Sequence, residues 1–203
     1  MTNVIITPLD PKKEAQKIIE VFIAAFEKDP LMNYFFGNEY HSLAKYLWQY
    51  VDDLTPILDL LLLGAFVESK LQGVAFITPP EVDNTGKQEE VDRLDEQLAS
   101  AVGEAAIMRM EAYSRIKEAN KPKQPHFYLN TLSVIPESQG KGVGKALMAE
   151  LHKISAAQPQ SSGIALDTEN EQNLNFYQKL GYSVSTITNL DRVKIWSMFR
   201  PQE

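Results

Sequence analysis

One junction, between a strand pattern and a helix pattern, restricts the fold of this chain more than any other feature. Residues 126–136 read HFYLNTLSVIP, an aromatic and β-branched run that a proline ends. Gly140, Gly142 and Gly144 follow, just ahead of an apolar repeat at helical spacing. Backbone amides at a glycine-rich helix start are free to hold an anion, and the helix dipole favours negative charge there. The junction therefore predicts an anion-binding loop.

Two familiar phosphate-binding loops are excluded by counting residues across this junction. The P-loop pattern requires a glycine and a hydroxyl residue at positions where this chain has Gln139 and Ala146. The dinucleotide-binding fingerprint requires a glycine at its sixth position, and counts from Gly140 and Gly142 both end on other residues. A nucleoside-triphosphate enzyme and a dinucleotide-binding domain are therefore not expected.

The rest of the chain alternates strand and helix patterns without an internal repeat, and its 203 residues suit one domain, 1–203. The predicted strands are 4–9, 64–70, 71–80, 126–136, 163–168, 182–189 and 192–199. The predicted helices are one opened by Asp10 and Pro11, a second helical region in 31–54, one long amphipathic helix in 81–125, one after the glycines and one at 170–181. This order indicates a mixed α/β fold.

Composition excludes several classes of function. The chain has no cysteine, so disulfides and thiolate nucleophiles are absent, and its three histidines are dispersed, so no metal site is expected. A net charge of −7 disfavours nucleic-acid binding and favours cationic partners. No apolar run approaches the roughly 18–20 residues that span a bilayer. The first ten residues lack a signal-peptide pattern, so we expect a cytoplasmic protein with no membrane partner.

The loop and its surroundings resemble the acetyl-CoA-binding motif of the GNAT superfamily of N-acyltransferases. In that motif, L-x-V-x-P on a strand precedes [QR]-x-x-G-x-[GA] at a helix start, and the matching residues are Leu132, Val134, Pro136, Gln139, Gly142 and Gly144. A second family motif is matched about forty residues later by Asn170, Asn173, Tyr177, Gly181 and Tyr182. The segment AFEKDPLMNYFF also resembles, less extensively, a branch that includes puromycin acetyltransferase-like proteins. We carry no substrate over from that branch.

The resemblance implies a mostly antiparallel sheet with helices on both faces, in which strands 126–136 and 163–168 are parallel and splay apart to bind CoA. It implies acetyl-CoA as co-substrate, with 126–182 as its binding core and the N-terminal half as the acceptor site. Residues implied in binding acetyl-CoA are Leu132, Ser133, Val134, Gln139, Gly140, Lys141, Gly142, Val143, Gly144, Lys145, Asn170, Asn173, Phe176 and Tyr177. N-capping is an equally good interpretation of Asn170.

The implied reaction is direct attack by an amine of a small molecule or peptide on the thioester, which needs no covalent enzyme intermediate. The family places its general acid at Tyr177, and a phenol is able to protonate a departing thiolate. A free amide near 132–134 is a candidate oxyanion donor. The general base stays open among Glu27, Asp29, His126, Tyr128, Asn130 and Asp167.

Residues 81–125 exceed the short turn that most chains of the family have at this point. This insertion is interpreted as a wall of the acceptor pocket or a flank of the sheet, with pairing to a second subunit as the other possibility. A second hypothesis for the whole chain is a module that binds acyl-CoA as a sensor without catalysis. Retention of Tyr177 and of the complete glycine loop favours the enzyme.

Overall fold

A seven-stranded sheet forms the centre of the computed structural model, which describes residues 3–82 and 85–202. In chain order the strands are β1 (Ile5–Pro8), β2 (Leu61–Val67), β3 (Lys70–Thr78), β4 (Phe127–Val134), β5 (Gly163–Thr168), β6 (Ser183–Leu190) and β7 (Val193–Pro201). Their spatial order is β1-β2-β3-β4-β5-β7-β6. Only β4 and β5 are parallel neighbours, as predicted.

Seven helices cover this sheet within the described residues. They are α1 (Pro11–Phe26), α2 (Pro30–Phe36), α3 (Tyr40–Ile57), α4 (Gln88–Val102), α5 (Glu104–Asn120), α6 (Val143–Ala156) and α7 (Leu174–Gln178). Asp10 caps α1 by accepting a hydrogen bond from the amide of Lys12 at 3.1 Å, as its position before Pro11 predicts. None of these helices is both long and apolar enough to cross a bilayer.

Alternating side chains of the sheet divide the core into two layers. In β3, Val74 and Phe76 pack with helices α1 to α5, whereas Ala75 and Ile77 pack with α6 and α7. Leu147 on α6 is fully buried in the second layer. Helices therefore cover both faces of a mixed, mostly antiparallel sheet, which confirms the predicted fold class.

β4 separates from β5 halfway along its length. The two strands pair only over Phe127–Leu129 and Ile164–Leu166, although β4 continues to Val134. At the same point β4 carries a bulge: Phe76 of β3 faces Thr131 and Ile77 faces Leu129, so Asn130 has no partner. A gap thus opens between the ends of the two parallel strands.

The prediction of one long helix in the insertion was wrong. The chain forms α4 and α5 instead, because Gly103 between them adopts φ +83°, a left-handed conformation that ends α4. Positions 83 and 84 of the insertion lie outside the described residues. The hairpin of β2 and β3 also begins earlier than predicted, since Glu68 and Ser69 form its turn at positive φ.

Candidate active site

A cavity of about 570 Å³ lies where β4 and β5 separate, on the side of the sheet that α1 to α5 cover. The α1–α2 junction contributes Asp29 to its lining, and α3 contributes Trp48. The insertion contributes Tyr113 and Lys117 from α5. The sheet side of the lining comes from β3, from β4, from the end of β5 and the residues that follow it, and from α7. Elements distant in sequence therefore meet at the gap in the sheet.

Tyr177, the predicted general acid, lines this cavity from α7 and is 7% exposed. Burial raises the pKa of its phenol above the usual value, and the negative charges of Glu169 and Asp29 raise that pKa further. The hydroxyl consequently stays protonated at physiological pH. Tyr177 is therefore held in the form that is able to donate a proton.

Glu169, which the sequence analysis did not select, lies directly after β5 and lines the same cavity. Burial raises the pKa of its carboxyl group to about 8, with smaller contributions from the charges of Asp29 and Asp167. A side-chain hydrogen bond with Tyr113 acts in the opposite direction. A carboxyl group with a pKa near physiological pH is suited to accept a proton from an ammonium group.

Asp29 is the one candidate base of the N-terminal half that reaches the cavity. Its Oδ1 atom caps α2, accepting hydrogen bonds from the amides of Leu31 at 2.9 Å and Met32 at 3.1 Å. Burial raises the pKa of the Asp29 carboxyl group above its ordinary value. Glu27, by contrast, lies 3.2 Å from an exposed His41 and does not line the cavity.

The candidate bases of the central strands occupy different places. Asp167 lines the cavity and accepts a hydrogen bond from the hydroxyl of Tyr128 at 2.6 Å. Asn130, the bulge residue, also lines the cavity and accepts a hydrogen bond from Nζ of Lys117. His126 is outside the lining, and its Nδ1 atom lies 2.7 Å from the carbonyl oxygen of Gln124.

Among the described residues that line the cavity, Lys117 is the only basic one. Its ammonium group lies 4.2 Å from the centroid of the Tyr128 ring, a distance at which cation–π attraction operates. Burial lowers the pKa of Lys117 to about 8, and the charge of Lys121 contributes to the same effect. The nearby negative charges of Asp167 and Glu169 oppose this change.

The glycine loop lies at the N-terminus of α6, beyond the end of β4. Gly140 and Gly142 have φ values of +71° and +90°, and a Cβ at either position would have no heavy atom within 4 Å. No side chain caps α6, and none of the hydrogen bonds found among the described residues starts from the backbone amides of 140–145. Gln139 anchors the loop, since its Nε2 donates to the carbonyl of Val134 at 3.0 Å.

Several residues implied in binding acetyl-CoA come together around Gly144. A Cβ on Gly144 would lie 3.7 Å from Phe176, 3.7 Å from Val134 and 3.9 Å from Leu132. Leu132 also lines the cavity, so the loop and the cavity meet along β4.

Other implied residues use their side chains locally. Ser133 is fully buried, and its hydroxyl donates to the carbonyl of Val74 at 2.8 Å. Oδ1 of Asn170 accepts a hydrogen bond from the amide of Gln172 at 3.0 Å, which is the capping role that its position also suggests. Asn173, in contrast, lines the cavity.

Buried polar atoms without partners concentrate at the cavity. Four such side-chain atoms occur in the described part of the chain, and three belong to cavity residues: Trp48, Thr131 and Glu169. An unpaired buried polar atom costs about 1–3 kcal/mol, and each one in a folded protein calls for an explanation. Their concentration here is typical of a functional site rather than of a region selected for stability alone.

Comparison with known proteins agrees with this geometry. Residues 95–184 match the family model described as acetyltransferase (GNAT) domain. A Corynebacterium glutamicum structure, described as histone acetyltransferase HPA2 and related acetyltransferase, is 22% identical with a TM-score of 0.74, over 100% of this chain and 98% of that one. PaiA N-acetyltransferase from Thermoplasma acidophilum, in complex with coenzyme A, is 19% identical with a TM-score of 0.58, over 98% and 99%. Naa20 from Chaetomium thermophilum, in complex with a bisubstrate analogue, is 14% identical with a TM-score of 0.55, over 98% and 86%. Likeness to structures at these identities establishes the fold alone.

Proposed function

We propose that this chain, in which residues 95–184 match the acetyltransferase (GNAT) domain model, is a GNAT acetyltransferase that transfers an acetyl group from acetyl-CoA to an amine by direct attack on the thioester. One observation carries the proposal. The end of β4 that does not pair with β5 connects two features: the glycine-rich start of α6, which no side chain caps, and the cavity. The cavity contains both a proton donor, Tyr177, and a proton acceptor, Glu169. An acetyl donor that has an anionic end and an arm of amide groups, as acetyl-CoA has, fits this arrangement.

The glycine loop would hold the pyrophosphate of acetyl-CoA. The open space beside Gly140 and Gly142, together with the free amides of residues 140–145, supports this assignment. Lys141 and Lys145 add positive charge at the same end of α6. The PaiA neighbour from Thermoplasma acidophilum was solved with coenzyme A, which is consistent with a coenzyme A site in this fold.

The pantetheine arm would run from this loop along β4 into the gap. Its amides are able to pair with the free edge that β4 exposes after Leu129, as an added peptide strand would. Leu132 and Val134 lie at that edge, and Phe176 stands across from them at Gly144. The thioester would then reach the bulge at Asn130, where the cavity begins.

The raised pKa values of Glu169 and Tyr177 suggest which group accepts a proton and which donates one. Glu169 takes a proton from the incoming ammonium group, and the neutral nitrogen attacks the thioester carbonyl carbon. The C–N bond forms and the C–S bond breaks. Tyr177 gives its phenolic proton to the departing sulfur and regains one that the nitrogen loses through solvent. Asp29 adds negative charge that favours an ammonium group at the cavity.

The test is a reaction of the purified protein with acetyl-CoA and a panel of amines, followed by thiol release and by the mass of the product. Amine-dependent thiol release with a matching N-acetylated product supports the proposal. Tight binding of acetyl-CoA without transfer to any amine would instead favour the non-catalytic sensor. An acetyl ester as the only product would replace N-transfer by O-transfer.

A further inference from the structure

We infer that the acceptor is a primary amine carried on an apolar body of about the size of an aromatic ring, and that helices α4 and α5 of the insertion select it. This inference rests on the proposed function and adds the acceptor class. Three features of the cavity support it: the charged groups of its lining, its aromatic side chains, and the contribution of α4 and α5 to its wall.

The charges of the lining favour a cation. Among the described residues, five carboxyl groups line the cavity against the single ammonium group of Lys117, and they are Asp29, Asp95, Glu111, Asp167 and Glu169. Glu169, with a pKa of about 8, is largely protonated at pH 7 and adds its negative charge only as the pH rises. Asp29, Asp167 and Glu169 lie at the gap in the sheet, whereas Asp95 and Glu111 are exposed on the insertion. Negative charge therefore extends from the surface to the position of the thioester, which attracts and orients an ammonium group.

The wall between these charges is apolar and aromatic. Trp48 is stacked on Phe22 at 4.3 Å between ring centroids and lies 5.3 Å from Phe26, so its indole is held in place. Tyr50 and Tyr113 add rings to the lining, and the hydroxyl of Tyr50 donates to Asp95 at 2.7 Å. A rigid aromatic surface of this kind gains most from an apolar ligand that covers it.

Much of this wall belongs to the insertion. Leu98 on α4 and Ile107 and Met110 on α5 line the cavity beside Tyr113. α4 packs on α3, and α5 packs on α2 and donates from Arg109 to the carbonyl of Phe35. The insertion is thus fixed to the acceptor side of the sheet rather than free for another role.

The same wall disfavours two other classes of amine. A polyamine would place additional charged groups against Leu98, Ile107 and Met110, where they lose hydration. The carboxylates beside these side chains already have partners, since Asp95 accepts a hydrogen bond from Tyr50 at 2.7 Å and Glu111 lies 3.7 Å from Arg115. A peptide would place several backbone amides and carbonyls against the same apolar side chains. An amine with a single charge and an apolar body avoids both costs.

The test compares acceptors at a fixed, saturating concentration of acetyl-CoA. The expected acceptors are 2-phenylethylamine and tryptamine. Spermidine and a short lysine-containing peptide, each assayed separately, are the comparison acceptors. We expect kcat/KM for the two aromatic amines to exceed the values for spermidine and the peptide by at least about tenfold, the size of one lost apolar contact or one buried charge. A preference for spermidine or the peptide would overturn the inference while leaving acetyl transfer intact.

A matched pair of variants tests the role of the insertion. Met110→Lys places a charge in the cavity wall, whereas Met108→Lys places one on the same helix where Met108 is 62% exposed and outside the lining. We expect Met110→Lys to lower kcat/KM for tryptamine at least tenfold with unchanged acetyl-CoA affinity, and Met108→Lys to have no effect. Equal activity of both variants would overturn the inference.

A smaller change keeps the test decisive if Met110→Lys does not fold. Met110→Ala enlarges the cavity, so tryptamine should gain relative to 2-phenylethylamine. An unchanged ratio would count against the inferred wall. Failure of every amine, including spermidine and the peptide, would overturn the proposed function itself and with it this inference.

Discussion

Nζ of Lys117 lies 2.7 Å from Oδ1 of Asn130, so the insertion is hydrogen-bonded to the bulge residue of β4. The side-chain nitrogen of Asn130, Nδ2, in turn donates a hydrogen bond at 2.8 Å to the hydroxyl of Thr78 on the neighbouring strand. Through these contacts α5, a helix of the insertion, is connected to the point where β4 and β5 separate. The positive charge that it brings lies among Asp167 and Glu169.

Replacement of Lys117 should therefore change how activity depends on pH. Lys117→Met removes a positive charge that favours the ionised carboxylate of Glu169, so the pH of half-maximal kcat/KM should rise. At pH 7 the variant should be several-fold less active. Lys153→Met is the control, because Lys153 is exposed on α6, pairs with Glu150 at 3.0 Å and lies outside the cavity lining. Identical pH profiles for wild type and Lys117→Met would contradict this electrostatic role.

The charge of Asp29 should act in the opposite direction. Asp29→Asn keeps an N-cap residue on α2 but removes a negative charge that raises the pKa of Glu169, so the pH of half-maximal kcat/KM should fall. The KM for the amine should rise, because the cavity loses one carboxylate. Asp10→Asn makes the same substitution at the cap of α1 and should change neither value. A fall in thermal stability without a change in pH profile would limit Asp29 to capping.

Glu169→Gln should lose activity and gain stability. The folded carboxyl group has a pKa of about 8 and the free group one of 4.5, so the folded protein holds a proton that the unfolded chain releases between these values. Stability of the wild type consequently falls as pH rises through this window, whereas glutamine does not titrate. The melting temperature of Glu169→Gln should match that of wild type near pH 4 and exceed it above pH 8. Above pH 8 the unfolding free energies of the two proteins should differ by on the order of a few kcal/mol.

Activity distinguishes this result from a purely structural role for Glu169. If Glu169 accepts the proton of the amine, Glu169→Gln should lower kcat about 10²–10⁴-fold and remove the rise of activity toward pH 8. A variant that is more stable and fully active would show that another group is the base. A variant that is less stable at every pH would show that the buried carboxylate is paired.

The strand, loop and helix of residues 126–156 follow from sequence because each local pattern agrees with its place in the fold. The aromatic strand is buried, Gly140 and Gly142 adopt positive φ, and the apolar face of α6 covers the sheet. The two helices of the insertion were not predicted, since the apolar spacing continues across Gly103. Only the backbone conformation of that glycine ends α4.

Glu169 shows a second limit of sequence reasoning. It stands in a polar turn, TENEQN, where an acidic residue is ordinary. Its raised pKa depends on burial by elements that are distant in sequence and on the charges of Asp29 and Asp167. Its position directly after a buried strand is the one local signal that marks it, and Asn170 shares that signal.

Tyr177→Phe removes the proposed proton donor and leaves the ring in place. We expect kcat to fall about 10²–10⁴-fold while acetyl-CoA affinity stays within a few-fold of wild type. Tyr182→Phe is the matched control, because Tyr182 is also buried in this layer but lies 3.2 Å from His152 and outside the cavity lining. Equal losses in the two variants would point to packing, and no loss in Tyr177→Phe would exclude it as the acid.

Calorimetric titration with acetyl-CoA of the wild type, Gly142→Asp and Gly103→Asp shows whether the glycine loop holds the pyrophosphate. Gly142 and Gly103 both have positive φ with open space around them, so each variant adds the same charge at a position that favours glycine. Gly103, with ψ 158° against −1° for Gly142, is the less tolerant of the two, so backbone strain alone would harm the control more. We expect micromolar-range binding by wild type and Gly103→Asp. We expect at least a tenfold loss of affinity in Gly142→Asp, where the carboxylate faces the pyrophosphate. No binding by the folded wild type, or equal binding by all three proteins, would contradict this expectation.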